Sequence, residues 1–397
     1  MSASRRDRLR PATCRRRTPY ITHSRMKPST FTDPETGRTI RRWTSGPAKD
    51  QHLYFTSPSI TADGRWLAII SERTGNPNVG VIDREDGAYR AVSRNENGLL
   101  RGYVYPTGGV RGLAKGSPAL HEGSGRLVWI QDDALWTGWA GRTDPPERIT
   151  ALPEGWWSGF SDISRCGRYA GVTVADPAAF VDPATTQGEQ MRAVRIRFRD
   201  EALQSRILLV DCDAGSIVAD VAVPFWTTHL NLHPEDPFRT VLNMEGGSVG
   251  QRIWRLDLRG KSLEPLYPEI GDEWSSHECW DPQGWFIVYH GGKRDGSEVW
   301  VERRTYDGRL VSTRRTTGVH LQHATLSADG RHFFIDCQDG TIRRWGIEDG
   351  SLETLCRHDS GYDDQDAHPH PRTAPDGRSL VFTSRREGSC NVYELHL

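Results

Sequence analysis

The feature that most constrains the fold is a repeated pattern of short apolar strands and aspartate-glycine turns. One copy reads "SPSITADGRWLAIISERTGNPNVGVIDREDGAYRAVS" (57–93), and another reads "QHATLSADGRHFFIDCQDGTIRRWGIEDGSLETLCRH" (322–358). The first turn of the unit recurs at seven places, and the glycines of the last three copies, Gly284, Gly330 and Gly377, lie 46 and 47 residues apart. Four strands in a period of this length are typical of a β-propeller blade. The sequence therefore predicts an all-β chain folded as a seven-bladed β-propeller.

The two ends of the chain complete this prediction. The last unit, "HPRTAPDGRSLVFTSRREGSCNVYELHL" (370–397), has only three strands, whereas "DPETGRTIRRWTS" (33–45) reads as a turn followed by one outer strand. An N-terminal strand that completes the last blade closes the ring and removes exposed sheet edges. We therefore expect one propeller domain over residues 31–397. Residues 1–30 are expected to form a disordered basic extension, with Met26 as a possible true start of translation.

Composition restricts the partners and the compartment. The formal net charge of −1 provides no overall field for nucleic acid or an anionic membrane. The arginine-rich N-terminus lacks the apolar core of a secretory signal. The alternative to a disordered extension without a function is a basic arm that binds nucleic acid. The seven cysteines are scattered without a Cys-x-x-Cys pair, which is typical of reduced thiols. These features favour a cytoplasmic protein with neither a nucleic acid nor a membrane partner, and they leave its oligomeric state open.

Histidines occupy one position of the repeat in four successive units. The position six residues before the turn aspartate, or its equivalent, starts the innermost strand of each unit. This position is apolar or small in the first three units and histidine in the last three. The turn of the fourth unit is one residue longer, and its histidine lies seven residues before Asp236. In unit order the residues are Ser57, Pro118, Phe160, His229, His277, His323 and His370. Innermost strands line the central channel of a propeller, so we expect four imidazoles around one mouth of that channel.

The segment "QDAHPHPRTAPDG" (365–377) adds further ligand types at this mouth. Alternate residues of an extended segment point the same way, so His368 and His370 share a face. With His323 from the neighbouring blade and the amide oxygen of Gln365, they form a ligand set suited to Mn²⁺, Zn²⁺, Ni²⁺ or Fe²⁺. The alternative is a polar, histidine-rich loop that binds no metal.

Three of these stretches resemble a known family, the oligogalacturonate lyases (polysaccharide lyase family 22), which are seven-bladed propellers. They are "QDAHPHPRTAPDGRSLVFTS", "SSHECWDPQG" and "LQHATLSADG". The family has Gln-x-x-His-Pro-His-Pro in the first, Thr-His-Glu-Phe-Trp in the second, and Ser-His before the turn in the third. The resemblance extends over residues 31–397 but is thin outside these motifs.

The resemblance implies a lyase that cleaves short oligogalacturonides, or related oligouronides, by β-elimination. It implies His277 as the general base, Arg252 as a catalytic residue that binds or neutralises the substrate, and His229 as a substrate-binding residue. It also implies a divalent ion, Mn²⁺ in the family, held by four ligands: His323, Gln365, His368 and His370.

Departures from the family pattern leave the substrate open. Cys279 stands where the family has phenylalanine, and the insertions 95–116 and 175–203 have no obvious counterpart in the family pattern. Two other functions remain possible for such a sequence. One is a non-catalytic propeller of the TolB type that binds protein or sugar, and the other is a metal-dependent uronate epimerase or hydrolase. Trp156 and Trp157 fit either sugar stacking or core packing.

Overall fold

Seven antiparallel sheets form the protein. The computed structural model describes residues 24–96, 113, 115–180, 187–245 and 250–397. Each sheet contains four or five strands. Apart from the N-terminal strands, which join the sheets of the first and last blades, neighbouring strands of a sheet are consecutive in the chain. The seven-bladed all-β propeller predicted from the repeat is confirmed.

The strands fall into seven blades, numbered in chain order. Three strands precede the first full blade: β1 (Ser24–Arg25), β2 (Ser29–Thr32) and β3 (Thr39–Arg42). Blade 1 contains β4 (Asp50–His52), β5 (Trp66–Ser71), β6 (Asn78–Asp83) and β7 (Ala88–Ala91). Blade 2 contains β8 (Ala119–His121), β9 (Arg126–Gln131), β10 (Ala134–Trp139) and β11 (Glu147–Ala151). Blade 3 contains β12 (Trp157–Ile163), β13 (Tyr169–Ala175), β14 (Ser205–Asp211) and β15 (Ser216–Val223).

The remaining blades follow the same order. Blade 4 contains β16 (Leu230–Leu232), β17 (Arg239–Asn243), β18 (Ile253–Asp257) and β19 (Ser262–Pro265). Blade 5 contains β20 (Glu273–Trp280), β21 (Ile287–Lys293), β22 (Val299–Arg304) and β23 (Leu310–Thr316). Blade 6 contains β24 (Leu321–Leu326), β25 (His332–Cys337), β26 (Thr341–Gly346) and β27 (Leu352–Arg357). Blade 7 contains β28 (Arg372–Thr373), β29 (Ser379–Ser384) and β30 (Asn391–His396).

The first strand of each blade lies nearest the axis. The first strands of blades 2, 3 and 4 contact one another, as do those of blades 5, 6 and 7. Apolar side chains of neighbouring blades pack face to face between the sheets, as Leu209 of β14 does with Leu230 of β16 and Leu242 of β17. The blades are therefore held by hydrophobic contacts between sheets, and the residues that open each first strand meet at one end of the channel.

The ring closes as the sequence predicted. Strand β3 pairs antiparallel with β30, with Ile40 opposite Leu395 and Arg41 opposite Glu394, and β2 adds a fifth strand to this sheet. Trp43, which follows β3, is buried and donates its indole N–H to the Glu394 carboxylate at 2.8 Å. Closure thus joins the two ends of the chain by backbone hydrogen bonds.

The turns that marked the repeat have the conformation that glycine provides. In six blades the turn glycine has a φ between 67° and 76°, in the left-handed region that side chains disfavour: Gly64, Gly125, Gly167, Gly284, Gly330 and Gly377. In blade 6 the Ser327 hydroxyl donates to the Asp329 carboxylate at 2.6 Å, and the same carboxylate accepts the N–H of Arg331. The Ser-x-Asp-Gly pattern is therefore a turn that satisfies its own polar groups.

Residues 24–26, just before the ring-closing strands, contact the propeller. The predicted disordered extension covers residues 1–30, and its residues 1–23 lie outside the described part of the chain. Residues 24 and 25, in contrast, pair with β7, and Met26 is buried against Trp43 and Val392. An apolar side chain that fills the space between blades 7 and 1 orders this segment. That Met26 is the true start of translation stays a prediction.

The insertion in blade 3 is partly helical. It leaves β13 through a turn at Pro177–Ala179 and contains one helix, α1 (Gln187–Asp200). Trp157 stacks on Phe180 at 4.1 Å between ring centroids, so it packs within the protein beneath this insertion. Most of the other insertion, residues 97–112 and 114, lies outside the described residues. The described part of the chain contains no helical segment with the length and apolarity of a membrane span.

Candidate metal centre and its surroundings

Three histidines from two neighbouring blades converge at the channel mouth. One ring nitrogen of each of His323, His368 and His370 lies within 4.8 Å of the others. His323 belongs to β24, whereas His368 and His370 precede β28 in the segment that enters blade 7. The ring centroids of His323 and His370 are 4.0 Å apart. The structure thus brings together three of the four predicted ligands.

The fourth predicted ligand, Gln365, opens a short 3₁₀ turn that ends at Ala367. Its carbonyl accepts the N–H of His368 at 3.4 Å, and its side chain is partly buried. Asp364 caps this turn by accepting the N–H of Asp366. The turn fixes the backbone just before His368, and the role of the Gln365 amide as a ligand stays a prediction.

Backbone irregularities aim these side chains. His277 and His370 have φ values of 57° and 49°, which are unusual for residues other than glycine. The pairing of β20 with β21 shifts register between Ser276 and Cys279, and that of β24 with β25 shifts between Leu321 and His323. Bulges and strained backbone are common beside active sites, where they redirect a side chain. Here they occur at the histidines that the repeat placed at one height.

The donor atoms fit a metal ion. His370 is fully buried, yet neither of its ring nitrogens has a hydrogen-bond partner in the described residues, and the same holds for Nδ1 of His368. Such atoms are costly to bury unless something binds them. Nδ1 of His323 donates to the Asp336 carboxylate at 2.9 Å. The neutral ring therefore carries its proton on Nδ1, and Nε2 has an electron pair that can bind a metal ion. Histidine metal ligands are usually oriented by a carboxylate in this way.

Asp336 and Tyr362 form a supporting pair that sequence analysis missed. Both carboxylate oxygens of Asp336 face His323, whose backbone N–H donates to one of them at 2.7 Å. The Tyr362 hydroxyl donates to the carboxylate at 3.0 Å. The sequence carried one signal for this pair, since Asp336 interrupts the otherwise apolar strand "HFFIDC". A buried carboxylate in that position needs a partner, and His323 is that partner.

The candidate base, His277, lies beside the three-histidine cluster. Its ring centroid is 4.3 Å from that of His323. Its Nδ1 lies 2.8 Å from the Gln322 carbonyl oxygen and 2.8 Å from Nε2 of His290. A carbonyl only accepts, so we assign the proton of neutral His277 to Nδ1, which leaves Nε2 as the proton acceptor. His290, which the sequence analysis did not select, thus helps to orient His277.

A buried charged group adjoins His277. Glu278, the next residue, is fully buried, with its carboxylate 3.4 Å from Nδ1 of His229 and 3.6 Å from Nε of Arg252. Burial acts to raise the pKa of Glu278, but the neighbouring His229 imidazole and the Arg252 charge lower it below its usual value. Arg252 also lies 3.8 Å from the Glu245 carboxylate. The predicted residues His229 and Arg252 therefore flank the carboxylate of the residue that follows His277, to which the sequence assigned no role.

Two aromatic rings pack against the imidazoles. Tyr54 and Phe55 follow β4 in blade 1, and both are buried. The centroid of the Tyr54 ring lies 4.6 Å from that of His370, and the Phe55 ring lies 5.3 Å from that of His323. Lys115, also buried, donates to the His368 carbonyl at 2.9 Å, and burial lowers its pKa to about 8. The cluster therefore occupies a low-dielectric site, which favours neutral imidazoles.

Burial lowers the pKa of six imidazoles around this mouth. The pKa falls to about 3 for His52 and His290 and to about 4 for His368, and it lies well below 6.5 for the remaining three: His277, His323 and His370. These groups stay neutral in the folded chain at pH values where the unfolded chain binds protons. Their contribution to stability is present above the unfolded pKa and is lost as pH falls below it.

We therefore expect the metal-free protein to lose stability between pH 7 and pH 5. Each such histidine lowers the free energy of unfolding by about 1.4 kcal/mol per pH unit below its unfolded pKa. Asp162 acts in the opposite sense, because burial raises its pKa to about 7. Urea unfolding between pH 7 and pH 5 measures the net change in the free energy of unfolding from all these groups. A free energy of unfolding that stays level or rises toward pH 5 would contradict the expectation.

Comparison with known proteins places this arrangement in context. No protein-family model matches the chain. An oligogalacturonide lyase of Pectobacterium atrosepticum is 23% identical over 212 residues, which are 47% of this chain and 54% of that protein. An oligogalacturonate lyase of Dickeya dadantii is 22% identical over 211 residues, with the same coverage of 47% and 54%. The match thus spans about half the length of these curated relatives.

Two solved structures share the whole fold. An oligogalacturonate lyase in complex with manganese superimposes with a TM-score of 0.81 at 18% identity, covering 95% of this chain and 98% of that one. The oligogalacturonate lyase of Vibrio parahaemolyticus gives a TM-score of 0.79 at 17% identity, with the same coverage of 95% and 98%. At this identity the structures establish a common fold. Together with the sequence matches, they confirm the resemblance to the oligogalacturonate lyases.

Proposed function

We propose that the protein is a metal-dependent lyase that cleaves short oligogalacturonides, or closely related oligouronides, by β-elimination. One observation carries the proposal. A buried three-histidine cluster with unsatisfied ring nitrogens lies in ring contact with His277, whose tautomer leaves Nε2 free to accept a proton. The curated relatives named as lyases of oligogalacturonides support the same reaction class.

The proposed metal ligands are His323, His368 and His370, with Gln365 as an oxygen ligand. A divalent ion, of which manganese is the best supported by the solved relative, would stabilise the negative charge that develops on a uronate carboxylate when its α-proton leaves. Neutral imidazoles are the form that binds metals, and the buried site keeps these three neutral.

His277 is the proposed general base. In a uronide the C5 proton is α to the C6 carboxylate, so it is the acidic carbon-bound proton of the sugar. Nε2 of His277 accepts this proton, the C4–O bond breaks, the leaving oxygen takes up a proton, and a C4=C5 double bond remains in the product. The hydrogen bonds of Nδ1 to Gln322 and His290 hold the ring in one orientation during the transfer.

Arg252 and His229 are the proposed substrate-binding groups. An arginine pairs with a carboxylate through two parallel N–H donors, which suits a uronate better than lysine does. Both side chains approach Glu278, whose carboxylate restrains their positions and offsets part of the charge of Arg252. Because the site is buried, pairing with a substrate carboxylate is stronger there than it is in water. As part of the same proposal, we place the protein in the cytoplasm.

A cleavage assay tests the proposal against its alternatives. The purified protein, supplied with Mn²⁺, is incubated with saturated digalacturonate and with other oligouronides, and product masses are recorded with absorbance. A lyase gives products whose masses sum to that of the substrate, with new absorbance from the unsaturated product. A hydrolase adds one water, an epimerase leaves the mass unchanged, and a binding protein consumes nothing. Failure to bind any divalent ion would overturn the metal-dependent mechanism.

A further inference from the structure

A basic cleft lies between the inserted helix α1 and blade 4. Its volume is about 800 Å³, and six of its lining residues carry the argument: Arg192, Arg195, Arg199, Phe225, Trp226 and Glu245. The chain as a whole has a net charge of −1, so three arginines on one wall are a local excess of positive charge. Such a concentration favours an anionic ligand.

The helix presents these arginines in a stripe beside its buried face. Met191, Val194 and Phe198 pack with Trp226, and they recur at the spacing of one helix face. Arg192, Arg195 and Arg199 follow the same three- and four-residue spacing, displaced by one position along the chain. The packing that anchors the helix therefore also turns the arginine stripe toward the cleft.

Two of the arginines have charge available for a ligand. Across the described part of the chain, Arg192 and Arg195 make no ion pair and no side-chain hydrogen bond. Arg199 pairs with Asp200 at 2.7 Å. Guanidinium groups match carboxylates in geometry and keep their charge at every physiological pH.

Glu245 is in contact with both the cleft and the proposed active site. This residue lines the cleft and follows β17, and its carboxylate lies 3.8 Å from Arg252. It accepts hydrogen bonds from the Thr228 hydroxyl and, at 2.9 Å, from the Asn243 amide. The charge of Glu245 is thus engaged by its neighbours, and it does not prevent an anion from reaching the arginines.

The connectivity places both elements at the same end of the propeller. Trp157, at the start of β12, pairs with Ala175, at the end of β13, and the insertion that contains α1 leaves from this end. Residues 244 and 245 leave β17 beside the start of β16, which follows His229. Helix α1 therefore lies at the end of the channel where the histidines converge.

We propose that this cleft is a distal subsite for an anionic sugar chain. In it, Arg192 and Arg195 bind carboxylates of the galacturonate units that lie beyond the reacting pair. The inference rests on the proposed function and adds to it a preference for substrates longer than the disaccharide. The helix is specific to the insertion 175–203, so this preference is a property of this chain's own residues.

The test compares chain lengths in the double variant Arg192→Ala/Arg195→Ala. An exposed ion pair changes a binding constant by up to about fivefold, so loss of two pairs should raise KM for tetragalacturonate by about tenfold. KM for digalacturonate and kcat for both substrates should stay within about twofold, since the reacting units do not reach these arginines. The effect should weaken as salt increases.

A matched control removes the same charge at the opposite end. Arg331 and Arg378 are exposed and directly follow the turn glycines Gly330 and Gly377, so Arg331→Ala/Arg378→Ala should leave both KM values unchanged. Equal shifts in the two double variants, or no shift in either, would overturn the subsite. If the wild-type protein cleaves neither sugar, the proposed function fails. Equilibrium binding of tetragalacturonate to the wild-type protein and the cleft variant then decides the subsite alone.

Discussion

Replacing His277 with alanine should lower kcat on digalacturonate by about 10²- to 10⁴-fold, the range that a positioned general base contributes. The structure gives the reason, because His277 is a partly buried imidazole beside the three-histidine cluster, and its Nδ1 is committed to the Gln322 carbonyl. Manganese binding and the midpoint of urea unfolding should be retained. The measurement is steady-state kinetics with metal analysis of the same preparation.

Two further variants separate a base from a structural histidine. His396→Ala removes an exposed imidazole from β30 and should keep wild-type kinetics. His290→Asn disturbs the orientation of His277 and should lower kcat less than His277→Ala does, because the base itself remains. If His277→Ala kept more than half of the wild-type kcat, another residue would have to be the base.

The second large effect is expected at His370. His370→Ala should abolish detectable cleavage and reduce Mn²⁺ affinity, because it removes a buried imidazole whose two nitrogens have no hydrogen-bond partner in the described residues. Saturation at a hundred times Kd stabilises a folded protein by about 2.7 kcal/mol, so Mn²⁺ should raise the unfolding midpoint of the wild-type protein. The variant should show little or no such increase. Isothermal titration and unfolding with and without Mn²⁺ measure both effects.

The carboxylate that orients His323 provides a graded comparison. Asp336→Asn keeps an oxygen acceptor for Nδ1 of His323 but removes its charge, and substitutions of this kind cost about 10- to 100-fold in metal affinity. The variant should bind Mn²⁺ more weakly than the wild-type protein and more tightly than His370→Ala. Wild-type Mn²⁺ affinity in His370→Ala would show that the ion, if bound, lies elsewhere.

Much of the fold follows from local sequence patterns. The aspartate-glycine turns and the strands between them predicted seven blades, and the missing strand of the last blade predicted that β3 pairs with β30. The start of the domain was less predictable. Residues 24–26 carry no strand pattern, and the burial of Met26 depends on the gap between blades 7 and 1, which only the closed ring creates.

The candidate site also contains residues that the repeat predicted and residues that it could not predict. The repeat placed His277, His323 and His370 at equivalent positions because equivalent residues of successive blades share a height. It could not identify Glu278 as the carboxylate between His229 and Arg252, since these three residues come from separate segments of blades 4 and 5. Nor could it predict that Tyr54 packs against His370, because these residues are joined only by closure of the ring.

The number of blades, the strand that closes them and the histidines at one mouth of the channel all follow from the sequence alone. These are properties of period and alternation, and both can be read along the chain. Which ring nitrogens meet cannot be read in this way, because it depends on the left-handed backbone at His277 and His370 and on the packing between blades. Side-chain convergence is a property of contacts between distant segments, and no local pattern encodes it.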